Sequence, residues 1–184
     1  MTRRRANYCP DCGAAVETRA FEGRDRAFCP DCREFVFQNP APIGAVVVLD
    51  GPEALLVERG IPPDRGKWTV PAGFLEVDES AREGAARELE EETGLAADPD
   101  ALELARTGFH VEDPAEGSLL SVCFAIECER TRGTVRPGSE PTDARFWDPA
   151  TLLASDAETR SVDLRRMEAA FQAVRGETRS FDTE

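Results

Sequence analysis

The sequence predicts an α/β domain preceded by a small segment folded around cysteines. Three observations predict it. Apolar, β-branched runs such as "IGAVVVLD" (43–50) are separated by turn chemistry. The stretch 80–93 carries both the start and the stop of an amphipathic helix. Two C-x₂-C pairs, Cys9/Cys12 and Cys29/Cys32, stand in a stretch poor in aliphatic residues.

The 184 residues suit one domain with a small appendage, and a 41% hydrophobic content is enough for a core. The predicted boundaries are 1–37 for the cysteine segment, 38–157 for the main domain and 158–184 for a C-terminal helix and tail. The net charge of −14 disfavours bulk binding to nucleic acid or to an anionic membrane. Lys67 is the only lysine. Acid-rich, lysine-poor composition resembles the surfaces of salt-accumulating halophiles. No apolar run is long enough to span a bilayer, and "MTRRRANYCPDC" (1–12) lacks the apolar stretch of a secretory signal. The expectation is a cytoplasmic chain with reduced thiols.

Cys9-Pro-Asp-Cys12 and Cys29-Pro-Asp-Cys32 are separated by 16 residues, a spacing that suits a tetrahedral structural zinc site. Disulfides or a redox dithiol would use the same residues, but a reducing compartment disfavours stable disulfides. Four thiolates also accommodate iron. Four protein ligands leave no open position for catalysis, so the metal's role is to fold a segment too small for its own core. Arg3, Arg4 and Arg5 beside it read as a solvated tail.

After the connector "QNPAP" (38–42), residues 43–50 and 54–60 read as two strands joined by "DGPE" (50–53). "IPPDRGKWTVPAG" (61–73) reads as loop. Residues 101–111, 118–129 and 144–149 read as strands, and 158–174 as an amphipathic helix, with a frayed tail after Gly176. Cys123 and Cys128 fall in one apolar strand at a spacing that points them to opposite faces, as inert buried thiols.

In the 80–93 helix, Ser80 and Glu83 form a capping box and Gly94 supplies the stop. Ala85, Ala86 and Leu89 share the core side. Arg87 is spaced to pair with Glu83 or Glu91. Glu88, Glu91 and Glu92 converge on one face, with the small residues Ala81 and Gly84 on that same face. Solvation of an acidic face explains Glu90, but not the small residues near the cluster. A divalent cation explains both, because rigid carboxylates suit Mg²⁺ or Mn²⁺ bridging to substrate phosphates.

"GFLEVDESAREGAARELEEETGL" (73–95) resembles the Nudix hydrolase signature at every fixed position: Gly73, Glu79, Arg87-Glu88-Leu89, Glu91-Glu92 and Gly94-Leu95. The cysteine segment is similar to the zinc ribbon of the NADH pyrophosphatase branch. The resemblance implies a mixed β-sheet between helices, with the signature as loop–helix–loop. It implies hydrolysis of a nucleoside diphosphate linked to another moiety, X. Glu88, Glu91 and Glu92 would hold Mg²⁺ or Mn²⁺, with the Gly73 carbonyl as a further ligand. Arg87 would orient the carboxylates and Glu79 would support it. Arg59 is a candidate phosphate contact. In the family a further acid comes from a loop before a short aromatic strand. Here that place falls to Glu140, with Asp143 as runner-up and Glu112 and Glu116 as weaker candidates.

Trp68 and Trp147 read as core packing, and His110 is given no role. No Ser-Gln-Pro-Trp-type string of the NADH-cleaving branch occurs between 96 and 130. The first substrate expectation is therefore ADP-ribose or a similar nucleoside diphosphate derivative, with NADH or NAD as the alternative. A non-catalytic Nudix-like binding module, with the zinc ribbon as a nucleic-acid adaptor, is a lesser reading, because the acidic box is complete and the net charge disfavours nucleic acid. The sequence leaves the oligomeric state open, although many members of the resembled family are homodimers.

The acidic composition generates one prediction. Self-repulsion is strongest where screening lengths are long. The melting temperature should therefore rise from dilute buffer into molar salt, and a flat or falling Tm across that range would count against a salt-adapted surface.

Overall fold

The structure, a computed structural model, describes residues 5–113 and 117–181. It contains two compact units. One comprises Met1–Ala41 with Phe109–Leu120, and the other Pro42–Gly108 with Ser121–Glu184.

In the first unit, β1 (Glu17–Phe21), β2 (Arg24–Cys29) and β3 (Glu34–Val36) form an antiparallel sheet in that order. A seven-stranded sheet has most of its residues in the second unit. Its main path runs β12-β5-β4-β10-β9, from β4 (Ala41–Asp50), β5 (Glu53–Glu58), β9 (Glu103–Asp113), β10 (Gly117–Glu127) and β12 (Asp143–Trp147). Two short strands lie off this path: β6 (Trp68–Thr69) pairs with β5, and β7 (Ala72–Phe74) with β4. Helix α1 (Ala81–Thr93) and β8 (Leu95–Ala96) follow β7, and β11 (Arg132–Gly133) follows β10; β8 and β11 pair with each other. After β12 come α2 (Pro149–Leu153) and α3 (Ser161–Arg175).

The run in β4 is continuously apolar because both faces of this strand are covered. Ala45, Val47 and Leu49 join Leu56, Leu164, Met167 and Phe171 in one core layer, against α3. Val46 and Val48 join Leu55, Ala85, Ala86 and Leu89 in the other, against α1. Alternation along the strand thus gives an α/β/α sandwich. Each fully buried Val or Leu is worth roughly 1.5–3 kcal/mol, so these layers dominate the stability of the unit.

Several expectations change. The 61–73 stretch is not all loop. Val57↔Thr69 and Ala45↔Ala72 pairings make β6 and β7, which two-residue runs among Pro and Gly could not signal. The short helix α2 was not foreseen, although Asp148 caps it and Pro149 opens it. Cys128 lies beyond β10 in a 3₁₀ turn and is only partly buried. Cys123 is buried, and burial pushes its thiol up to about 12. The tail after Gly176 is docked as far as Phe181. The Phe181 ring lies 6.4 Å from that of Phe171, and Arg179 stacks 3.8 Å over Phe171. Arg5 donates to Thr18 Oγ1 at 2.6 Å rather than lying free, while Arg3 and Arg4 fall outside the described residues. Trp68 and Trp147 pack edge to face with centroids 5.2 Å apart. Among the described residues no helix is long and apolar enough to cross a membrane.

At the start of α3, Asp163 is fully buried and accepts from Arg160 Nε at 2.9 Å and Arg166 Nη1 at 2.8 Å. Arg166 is itself 2% exposed, so removing its partner strands a charge in the core. Asp163→Ala should cost about 3–5 kcal/mol in denaturant unfolding. A loss below about 1 kcal/mol, the range of a surface pair, would show that Arg166 finds solvent.

Candidate active site and metal centre

Helix α1 begins as its sequence dictates. Ser80 Oγ accepts from Glu83 N, and the Glu83 carboxylate accepts from Ser80 N at 2.8 Å. Gly94 closes the helix in the left-handed region, at φ 72°. This capping box consumes Glu83, so Arg87 does not pair with it as its spacing allowed.

Arg87 turns instead to the loop ahead of the helix. It forms a fork on Glu79 through Nε at 3.0 Å and Nη2 at 2.7 Å. Nη1 reaches Glu88 at 2.8 Å and Glu91 at 3.1 Å, and Nη2 also donates to the Phe74 carbonyl at 3.0 Å. The guanidinium, helped by the Glu76 N–H, holds the Glu79 carboxyl down at about 2. Gly84 makes this possible. A Cβ there would lie 2.5 Å from both Glu79 Oε1 and a Leu75 methyl. The close approach read from that glycine is made by the 75–79 loop.

The three box carboxylates leave the helix toward different neighbours. Glu88 lies against Gly73, where a Cβ would sit 2.1 Å from its carboxyl carbon. Burial pushes the Glu88 carboxyl up, and Arg87 opposes that. Glu91 is the most exposed of the three-way contact, 59% at the side chain. Glu92 accepts from the Ala72 N–H of β7 at 3.0 Å. Burial pushes Glu92 up to about 8; the Ala72 N–H and Arg59 oppose this, while Glu88 and Glu140 add to it.

Glu92, Arg59, Thr69 and Glu140 line one pocket. The 136–141 loop is clamped there at both ends. Arg136 N and Gly138 N donate to the Thr93 and Glu92 carbonyls, at 2.9 and 3.0 Å, using acceptors left over at the helix end. Thr142 N donates to the Glu58 carbonyl at 2.9 Å, and Thr142 Oγ1 to the Glu58 carboxylate at 2.6 Å. A Cβ on Gly138 would lie 1.9 Å from the Glu91 carbonyl oxygen, so only glycine fits the crossing. Arg59 is steadied by donating from Nε to the Pro63 carbonyl at 2.8 Å. Asp143 is turned away, accepting from Ala144 N and pairing with Arg145. The Glu112 side chain and Glu116 lie outside the described residues. Sequence reasoning missed Thr69, the Ala72 N–H and the Glu58–Thr142 clamp. A backbone donor leaves no sequence signal, and the clamp joins residues 84 apart.

In the other unit the four cysteine sulfurs all lie within 4.8 Å of one another. Cys9–Cys32 and Cys12–Cys29 are separated by 3.9 and 3.5 Å. A tetrahedral zinc with bonds of about 2.3 Å sets sulfurs about 3.8 Å apart, so the cluster fits that ion. The two knuckles repeat one geometry. Gly13 N and Arg33 N each donate to the first cysteine's carbonyl at 2.9 Å, and both residues take positive φ. Among the described residues this is the one group of three or more metal-binding side chains gathered so tightly. The hard oxygen donors of Glu88, Glu91, Glu92 and Gly73 are of the type that suits Mg²⁺ or Mn²⁺ instead.

The NUDIX domain model matches residues 40–168. The chain belongs to the Nudix family. It is an enzyme of that family, a pyrophosphohydrolase acting on small nucleotide substrates with divalent metal ions. It is 34% identical to the phosphatase NudJ of Escherichia coli over 126 residues, 68% of this chain and 78% of that one. It is 30% identical to the NAD-capped RNA hydrolase NudC of Vibrio atlanticus over 147 residues, 79% of this chain but only 50% of the relative. The crystal structure of a NUDIX hydrolase from Nitrosomonas europaea superposes with a TM-score of 0.69 at 26% identity, covering 94% of this chain and 95% of that one.

The cysteine geometry predicts roughly one tightly bound zinc per chain by elemental analysis. Cys29→Ser should lose it. A folded wild-type ribbon without zinc or iron would reject the metal-centre reading.

Proposed function

We propose that this Nudix enzyme cleaves the pyrophosphate of a nucleoside diphosphate linked to X, with an ADP-ribose-like molecule as the preferred substrate. The observation that carries the reading is the pocket in which Glu92 of the box helix meets Arg59 and Glu140. Glu88, Glu91 and Glu92, with the Gly73 carbonyl, would hold the catalytic Mg²⁺ or Mn²⁺. The bound ions would neutralise the pyrophosphate, polarise phosphorus and acidify the attacking water.

The chain's own residues supply the rest. Arg87 keeps Glu88 and Glu91 oriented, and Glu79 keeps Arg87 in place. Arg59 faces the substrate phosphates with a charge already steadied by the Pro63 carbonyl. The Glu140 carboxylate takes the proton of the water whose oxygen attacks phosphorus, and the bridging oxygen leaves with the other phosphate. The clamped loop suits this role, because a general base must be positioned before its pKa matters.

A second reading takes NAD(H) or a dinucleotide cap as substrate. The four-cysteine cluster and the similarity to NudC favour it. The missing Ser-Gln-Pro-Trp string weighs against it, and "PAG" (71–73) rather than "PGG" is compatible with ADP-ribose-type enzymes. The Nudix-like binding module remains the contrasting reading, and turnover separates it from both. We also propose that the enzyme works in a salt-rich cytoplasm, with a homodimer as its assembly.

The deciding experiment is a hydrolysis panel of ADP-ribose, NADH, NAD⁺, FAD, diadenosine polyphosphates and nucleoside triphosphates with Mg²⁺ and Mn²⁺. ADP-ribose should give the highest kcat/KM, and turnover should stop without divalent metal. Tight binding without turnover would support the binding module instead. Glu140→Gln should lower kcat by about 10²–10⁴-fold with zinc content unchanged. Near-wild-type turnover in Glu140→Gln, with a large loss in Asp143→Asn or Glu112→Gln, would move the role to that acid.

A further inference from the structure

The lining of the Arg59–Glu140 pocket is split by chemistry. Arg59, Glu92 and Glu140 make its charged side, and Val57, Ile61 and Pro141 an apolar one. Among the described residues Arg59 is the only cation that lines it. Its Nε is already given to the Pro63 carbonyl, so only its Nη groups remain for a phosphate. Thr69 offers no proton either. Its hydroxyl donates to the Val70 carbonyl at 3.2 Å and accepts from Arg160 Nη2 at 2.7 Å.

The apolar side depends on Ile61. Val57 and Pro141 are buried, but Ile61 is 43% exposed. A single exposed isoleucine is ordinary on a surface. This one stands on a loop that is tied down before any ligand arrives. Arg59 N donates to the Lys67 carbonyl at 3.0 Å, Gly66 N to the Arg59 carbonyl at 2.8 Å and Lys67 N to the Asp64 carbonyl at 3.1 Å. Lys67 Nζ also pairs with Asp64 at 2.9 Å. Gly60 sets this loop against the next one, because a Cβ there would lie 2.1 Å from the Glu140 carbonyl oxygen. Ile61 and Pro141, each next in sequence to that contact, border the same pocket. The backbone under Ile61 is thus ordered in the free enzyme, and a ligand gains the contact without ordering the loop.

The pocket offers about 230 Å³. Sites that enclose a whole small ligand take about 300–1,000 Å³, so this one receives one end of the substrate. Which end fits follows from the split lining. With Arg59 engaged by the pyrophosphate, a third phosphate would meet Glu140 with no cation beside it. It would also lose water against Ile61 with no donor in exchange. A neutral sugar incurs neither cost. Its C–H face packs on the branched side chain and gains from the apolar area it covers.

We propose that Ile61, backed by Pro141, determines specificity: it forms the subsite for a neutral sugar carried by the outer phosphate, and it excludes the third phosphate of a nucleoside triphosphate. This rests on the reading above that the enzyme cleaves a nucleoside diphosphate linked to X, and adds which X fits and which residue decides. In ADP-ribose that sugar is the terminal ribose. Arg59 meets a phosphate in either class of substrate and so cannot tell them apart. Ile61 can, because it favours one end group and leaves the other without a partner.

The test compares kcat/KM for ADP-ribose and for ATP, with Mg²⁺, in the full-length, zinc-loaded enzyme. Ile61→Ala should raise KM for ADP-ribose about ten-fold, with the loss falling on KM rather than kcat, and Ile61→Leu should restore it. Ile61→Arg should shift the ratio of the two kcat/KM values toward ATP by at least about ten-fold. Leu104→Arg adds the same charge at an exposed strand position outside the pocket lining, and should leave the ratio alone. An unchanged ratio in Ile61→Arg, an unchanged KM in Ile61→Ala, or an equal shift in Leu104→Arg would overturn the proposal, while ADP-ribose turnover keeps the substrate reading standing. If NADH leads the hydrolysis panel instead, the ADP-ribose reading falls and the KM for NADH in Ile61→Ala decides the subsite. A rise of about ten-fold upholds it, and no change overturns it. ATP as the best wild-type substrate would overturn both.

Discussion

Glu79, Glu88 and Glu91 meet at the guanidinium of Arg87, and the geometry of the site depends on that contact. The contributions are unequal. Glu91 is 59% exposed at its side chain, so water screens its pairing and little stability comes from it. Glu79 is 13% exposed and is held by a two-toothed fork, where orientation and charge reinforce each other. The same guanidinium also takes the Phe74 carbonyl. It thereby fixes the end of β7 against α1, which in turn sets Gly73 against Glu88 and Ala72 N against Glu92. One cation orders both the carboxylates and the strand beside them.

Close approach is the second requirement, and glycines around α1 meet it, Gly44, Gly73, Gly84 and Gly138 among them. Gly44 lets β4 pass within contact of Ala85, where a Cβ would be 2.9 Å from the backbone nitrogen. Gly73, Gly84 and Gly138 do the same for a carboxylate, a loop and a helix end. Each would clash on gaining a methyl group. Backbone thus comes close to the helix or its carboxylates at Gly44, Gly73 and Gly138, and Glu92 accepts from the Ala72 peptide N–H.

Much of this was legible in the sequence, for identifiable reasons. The capping box, the Gly94 stop and the Ala85/Ala86/Leu89 core side follow from local chemistry and helical period, and the structure has all three. The four cysteines were legible because metal spacing is a local pattern. The partner of Arg87 was not. Helical spacing offers Glu83 and Glu91 equally, and only the capping box, by engaging Glu83, removes one of them. The preference for Glu79 depends on a loop folding back over Gly84. β6 and β7 were hidden because a two- or three-residue strand is defined by its partner rather than by its own composition. The docked tail was hidden too, since Phe181 stands among polar residues and only Phe171 gives it a place.

The two units are stabilised by different means, and their charge follows from that. The main unit has two apolar layers and keeps them while carrying most of the chain's acids, of which Asp163 alone among the described residues is buried. The ribbon has few buried residues and relies on four sulfurs. Cys32 shows what that arrangement implies. Its thiol is pushed up, first by its contact with Cys12 and then by Cys29, because four sulfurs this close cannot all carry charge together without a cation among them. A metal thus removes the main electrostatic cost of the ribbon, and it does so on one face of the sheet only. The opposite face contributes Phe28 to the buried set, while Phe21 and Phe37 stay partly exposed. Its phenylalanines and arginines pack on one another instead, Arg19 over Phe28 and Arg26 over Phe37.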